Sequence, residues 1–122
     1  MHSFPEMELR EAARAIASTQ MKSDKAILKL KENTAQYRLT ARGIAAYSLA
    51  LWLLARELGE ASDATPYAKE ELEQAQEAFT FATERVQSIL PKFATGTPQH
   101  TLAVRRLSAF EIARALIRQE IG

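Results

Sequence analysis

The stretch IAAYSLALWLLA, residues 44–55, is the most hydrophobic run in the chain, and the fold depends on where it is placed. It contains no charged side chain, and Arg42 and Arg56 stand just outside it. A membrane-spanning helix needs about 20 mostly apolar residues. The run is too short, and too closely bracketed by arginine, to predict a membrane span. It therefore indicates either a buried helix or a surface that binds another protein.

The bulk properties are those of a small globular domain. The chain has 122 residues, of which 47% are hydrophobic and 25% are charged, so residues 1–122 predict one domain. The net charge is +1, which provides no general attraction for nucleic acid or anionic membrane. There is no cysteine, which excludes disulfides and thiolate metal sites. The charged N-terminus lacks an apolar signal segment, so a cytoplasmic location is expected.

The capping residues mark where helices begin and end. Thr65-Pro66 and Thr97-Pro98 each read as an N-cap followed by proline at the first helical position. Gly59 is suited to the left-handed residue that follows a helix C-terminus. These signals predict an all-α protein, an antiparallel four-helix up-down bundle with helices at residues 5–31, 35–58, 66–90 and 98–121.

One feature leaves an alternative open in the N-terminal half. A heptad register of core positions runs from Leu9 to Leu58 without a slip. Read literally, it predicts one continuous helix over residues 5–58, on the order of 80 Å long. A break at Glu32-Asn33-Thr34 is favoured, because Asn can end a helix and Thr can cap the next one.

Side chains that could carry chemistry are few. The chain has two histidines and no HxxxH or Glu-x-x-His motif, so no metal ligands are predicted. No Walker A, G-x-G-x-x-G or G-x-S-x-G motif is present, so neither a cofactor nor a catalytic residue is predicted. We therefore expect a protein that is not an enzyme.

Several polar residues occupy core-facing positions of the helical pattern. Gln20, Tyr37, Tyr47 and Ser48 form a candidate pocket for a small ligand between helices, or a small active site. The alternative is structural. A buried polar group needs a hydrogen-bond partner, and that requirement selects one alignment of neighbouring helices. The structural interpretation is favoured.

Arginine clusters raise the alternative of nucleic-acid binding. Arg38 and Arg42 lie one turn apart, and Arg105 and Arg106 form a second basic pair. Clusters of this kind contact phosphate groups. Against this, the net charge is close to zero and the predicted third helix is acidic. Nucleic acid is therefore the least favoured partner.

A helical wheel divides the second helix into two apolar faces. Ile44, Tyr47, Ser48, Leu51 and Leu54 are assigned to the core, which leaves a second face made of Ala45, Leu49, Trp52, Leu53 and Arg56. Trp and Arg are residue types that dominate interface energies. This face predicts a non-enzymatic interaction or assembly module that self-associates through the second helix, with a homodimer favoured and another protein partner as the alternative.

Overall fold

The computed structural model describes residues 4–122, and it confirms the predicted four-helix bundle. Helix α1 spans Glu6–Ile27 and α2 spans Ala35–Glu57. Helix α3 spans Lys69–Ile89, a short 3-10 turn spans Leu90–Lys92, and α4 spans Pro98–Ile121. No strand occurs within the described residues. None of the described helices combines the length and the hydropathy needed to cross a bilayer.

Threonine caps begin α2 and α4 as predicted. The Thr34 hydroxyl accepts a hydrogen bond from the Tyr37 N–H at 3.1 Å, and the Thr97 hydroxyl accepts one from the His100 N–H at 3.2 Å. Each cap satisfies one of the N–H groups that have no partner inside the helix. The chain turns between Ile27 and Ala35, so the favoured break is confirmed and the alternative of one continuous helix over residues 5–58 is wrong.

The connection between α2 and α3 agrees with the sequence at one end only. Gly59 has a φ of 78°, and Glu60 N–H donates to the Ala55 carbonyl at 2.7 Å, which closes α2 in a Schellman motif. The predicted start of α3 at Thr65-Pro66 is wrong. The Thr65 hydroxyl instead accepts from Tyr67 N–H, and Glu71 accepts from the Ala68 N–H at the true start of the helix.

The helices form a ring in which each contacts the next along the chain, and α4 closes the ring against α1. Helix α2 also contacts α4 across the bundle, whereas α1 and α3 make no contact among the described residues. Helix α2 is therefore covered by three other helices.

Three aromatic rings contributed by α2, α3 and α4 lie at the centre of the bundle. The Phe79 and Phe110 rings meet edge to face with centroids 5.5 Å apart. Tyr47 lies 5.7 Å from Phe79 and 6.4 Å from Phe110. Such pairs contribute about 0.5–1.5 kcal/mol each beyond the burial of their surface. Aliphatic side chains from all four helices surround them.

Candidate interaction surface

Two leucines that were predicted to lie on an exposed face of α2 are buried in the structure. Leu49 is 2% exposed and Leu53 is 0% exposed, and both belong to the bundle core. Side chains without solvent access cannot contact another molecule. The prediction that Leu49 and Leu53 lie on an outer binding surface is therefore wrong.

The reason lies in how many neighbours α2 has. The heptad register follows the seam between α1 and α2, where Gln20 hydrogen-bonds Ser48. The buried residues of α2 are Ala46, Leu49, Ala50, Leu53 and Leu54, and of these the helical wheel assigned only Leu54 to the core. A helix packed against three others needs a wide apolar arc rather than one stripe. The stripe that appeared to be surplus is thus the face that α2 contributes to the bundle core.

Trp52 and Arg56, also predicted for the interface, make contacts within the chain. The half-buried Trp52 meets the Tyr67 ring edge to face at 6.0 Å, and the Arg56 guanidinium lies 5.4 Å from the Trp52 ring centroid. Arg56 also donates to the Asp63 carbonyl and to the Glu120 carboxylate. The hydrogen bond with Glu120 raises the pKa of Arg56.

These contacts join the end of α2, the α2–α3 connection and the end of α4. Of the five predicted interface residues, only Ala45 is exposed, and its methyl group alone makes no apolar surface of useful size. The predicted interface residues are thus divided into two core leucines, two residues that make contacts within the chain and one exposed alanine.

The four residues of the predicted polar pocket do not share one cavity. The Gln20 side-chain amide donates to the Ser48 hydroxyl at 2.6 Å and to the Ile44 carbonyl at 3.4 Å, across the α1–α2 seam. Tyr37 lies in the first turn of α2, and Tyr47 belongs to the aromatic cluster. The Gln20–Ser48 pair acts as the favoured structural interpretation expects, because it links two helices in one alignment.

The predicted arginine clusters are spread over two helices. On α2, Arg38 donates to the Asn33 carbonyl, and Arg42 pairs with Glu77 of α3 at 3.4 Å. On α4, Arg105 is exposed and Arg106 is half-buried. Within residues 4–122, no three histidine or acidic side chains come close enough together to hold a metal ion.

A groove that the sequence analysis did not anticipate runs between the first half of α2 and the second half of α3. Its volume is about 370 Å³. Leu39 of α2 and Phe81 of α3 form opposite walls and remain 43% and 42% exposed. The groove is also lined by apolar Gly43, Tyr47, Ala78 and Ala82 and by polar Ser23, Gln36, Thr40, Arg42, Glu77 and Arg85.

Charged side chains flank the apolar walls of this groove. The Arg85 guanidinium lies 5.8 Å from the centroid of the Phe81 ring, in a cation–π contact. The Arg42–Glu77 pair bridges the two helices and is exposed on both sides. Such an exposed pair is worth only about 0–1 kcal/mol, so it is easily exchanged for other partners.

Tyr47, whose ring belongs to the central aromatic cluster, also lines the groove. Its hydroxyl lies beside Gly43, 3.9 Å from where a Cβ at that glycine would stand. Burial raises the pKa of Tyr47, and the charges of Arg106 and Arg85 oppose that rise. No hydrogen bond to this hydroxyl is present within residues 4–122.

The groove exists because the α1–α2 hairpin extends beyond the dense part of the core. No residue from 17 to 45 is buried, whereas Val86 and Ala103 are buried at the same end of the α3–α4 hairpin. The signal available in the sequence is that Phe81 follows Phe79 by two residues, which puts the two side chains on opposite sides of the helix. Nothing in the apolar pattern marked Leu39, because its exposure depends on how far the two hairpins approach each other.

Comparison with known proteins returned no match to a family model, to a curated protein or to a solved structure.

Proposed function

We propose that this chain is a non-enzymatic helical interaction module that self-associates, and that its contact surface is the rim of the α2–α3 groove rather than the Trp52 side of α2. The observation that carries the proposal is the pairing of Leu39 and Phe81, two large apolar side chains left partly exposed on opposite walls of one groove.

The surroundings of these two side chains support the proposal. Single exposed apolar residues are common on monomeric proteins, and Met7 and Leu28 are examples here. Leu39 and Phe81 differ because they share one concave surface with Arg42 and Arg85. Aromatic residues and arginine are enriched in the central part of protein interfaces.

The experiment is a measurement of molar mass by light scattering over a wide range of protein concentration. We expect the wild type to be dimeric, and we expect Leu39→Glu to be monomeric because a charge would enter the apolar contact. Leu28→Glu is the matched control, since Leu28 is 84% exposed in the α1–α2 turn and lies outside the groove. A wild type that stays monomeric at every concentration would contradict the proposal.

A second candidate is binding of a small apolar anion in the same groove. It is favoured by the Tyr47 hydroxyl, which lacks a protein partner within residues 4–122 and lies near the charges of Arg85 and Arg106. Ligand sites between helices typically combine apolar walls with a few polar groups. The dye 1-anilinonaphthalene-8-sulfonate has this chemistry and serves as the probe.

In the dye experiment, we expect fluorescence enhancement by the wild type and its loss in Gly43→Leu, whose side chain would occupy the groove. Ala45→Leu is the control, because it adds the same side chain at an exposed position of α2 outside the groove. Equal enhancement by both variants would place the dye elsewhere and contradict this candidate.

A further inference from the structure

The outer face of α3 carries a stripe of exposed side chains centred on Phe81. Gln74, Glu77, Phe81, Arg85 and Ser88 follow one another at spacings of three or four residues, so they lie along one side of the helix. All five are exposed, while Leu72, Ala75, Phe79 and Val86 on the other side are buried. The stripe therefore lies on the side of α3 opposite the core, along the rim of the α2–α3 groove.

The charges on this stripe are arranged symmetrically about Phe81. Glu77 precedes Phe81 by one turn and Arg85 follows it by one turn, with opposite charges at equal distances. Gln74 and Ser88 occupy the next matching positions, also at equal distances. At 1.5 Å rise per residue, Glu77 and Arg85 are about 12 Å apart along the helix, which is too far for them to pair with each other.

The helix itself does not account for this order. Acidic side chains are favourable in the first turn of a helix and basic ones in the last turn. Glu77 lies beyond the first turn of α3, and the last turn contains no basic residue. Neither Glu77 nor Arg85 has an oppositely charged residue three or four positions away on the same helix.

We infer that a second copy of this chain occupies this surface, with the two α3 helices antiparallel and a two-fold axis passing at Phe81. In that arrangement Glu77 of each copy faces Arg85 of the other, and Gln74 faces Ser88. The two Phe81 rings meet at the axis. A two-fold contact requires this kind of self-complementary surface.

The same stripe disfavours the parallel arrangement. Parallel helices in register would place Glu77 against Glu77 and Arg85 against Arg85, and like charges facing each other are repulsive. The present contacts of these side chains leave them free to pair, since the Glu77–Arg42 pair is exposed and Arg85 only covers the Phe81 ring. This antiparallel contact rests on the proposed self-association. It further specifies which helix forms the dimer contact, the relative direction of the two helices and their register.

Cysteine cross-linking tests the direction and register directly, because the chain contains no cysteine of its own. Gln74→Cys and Ser88→Cys are prepared as separate proteins, which leaves Phe81 in place. After mild oxidation, we expect a disulfide dimer from the mixture and little dimer from either protein alone. The control is Gln87→Cys, which is exposed on α3 but lies off the stripe, so we expect little disulfide dimer when it replaces Ser88→Cys in the mixture.

Charge reversal provides a second, independent measurement. Arg85→Glu places two carboxylates opposite each other twice per dimer, and we expect dimerisation about tenfold weaker. The double variant Glu77→Arg/Arg85→Glu restores opposite charges in reversed order, so we expect its dimerisation to recover. Circular dichroism melting checks that both variants remain folded.

The outcomes separate the inference from the proposed function. A monomeric wild type overturns both. A second outcome is that the wild type is dimeric, but the Gln74→Cys protein forms disulfides only with itself or no mixed disulfide forms. That result overturns the antiparallel α3 contact and leaves self-association standing. Failure of the double charge reversal to recover dimerisation, with the fold intact, also overturns the inferred register.

Discussion

Replacement of Leu53 by alanine tests whether this side chain lies in the bundle core rather than on an outer face of α2. The Leu53 side chain is 0% exposed, so truncation removes three carbon atoms from a fully buried site. Loss of apolar burial costs about 0.8 kcal/mol for each buried methylene, roughly 2.4 kcal/mol in all. The space left behind adds to this, and buried Leu→Ala changes cost about 2–5 kcal/mol in total.

The expected change in melting temperature follows from the size of the chain. Unfolding entropy is about 2.1 cal/mol/K per residue, which is about 0.26 kcal/mol/K for 122 residues. A loss of about 3–4 kcal/mol therefore lowers the melting temperature by about 12–16 °C. This is a large part of the roughly 5–15 kcal/mol that stabilises a typical domain.

The assay is thermal unfolding followed by far-ultraviolet circular dichroism, at one low protein concentration so that self-association contributes equally to every sample. Leu28→Ala is the matched control, because the same atoms are removed from a side chain that is 84% exposed. We expect the control to change stability by less than about 0.5 kcal/mol. If Leu53→Ala melts within about 2 °C of the wild type, the assignment of Leu53 to the core is refuted.

Three further predictions concern other parts of the bundle. Gly43→Ala should stabilise the chain by about 0.5–1 kcal/mol in denaturant titration, because alanine favours the helix and its Cβ would meet only ordinary contacts with Tyr47; a loss of stability would contradict that geometry. Glu120→Gln should cost about 1–3 kcal/mol in the same assay by leaving the half-buried Arg56 without its charged acceptor, and an unchanged midpoint would show that the pair contributes nothing. Burial raises the pKa of Tyr47 in the folded state. The stability that comes from keeping its hydroxyl protonated is therefore complete below a pH of about 10, the ordinary pKa of tyrosine, and is lost as the pH rises through the raised pKa. Tyrosinate absorbance of the wild type minus that of Tyr47→Phe should show this late ionisation, and ionisation at or below the ordinary value would contradict it.

The sequence was a reliable guide wherever the determining interactions are local. Thr34 and Thr97 cap their helices through hydrogen bonds to a residue three positions ahead, so the cap can be recognised without knowing the fold. Gly59 takes the left-handed conformation that ends α2 for a similarly local reason. Thr65-Pro66 shows the limit, because the same pair of residue types begins a turn here and not a helix.

The candidate site could be predicted only in part, because exposure depends on contacts between helices far apart in the chain. The exposure of Phe81 follows from its position on the helix, because it lies two residues after the buried Phe79 and so on the opposite side. The groove beside it arises where the α1–α2 hairpin extends past the buried core, and no periodicity in the sequence contains that information.

The run at residues 44–55 shows most directly what each level determined. By itself the sequence established that α2 is helical, apolar and divided into two stripes. Only the tertiary structure decided that one stripe packs along α1 and that the other, with Leu49 and Leu53, enters the common core. It likewise joined Arg56 to Glu120 across 64 residues of chain. Apolar periodicity indicates that one face of a helix is buried. Which helix buries that face is determined by how the helices pack.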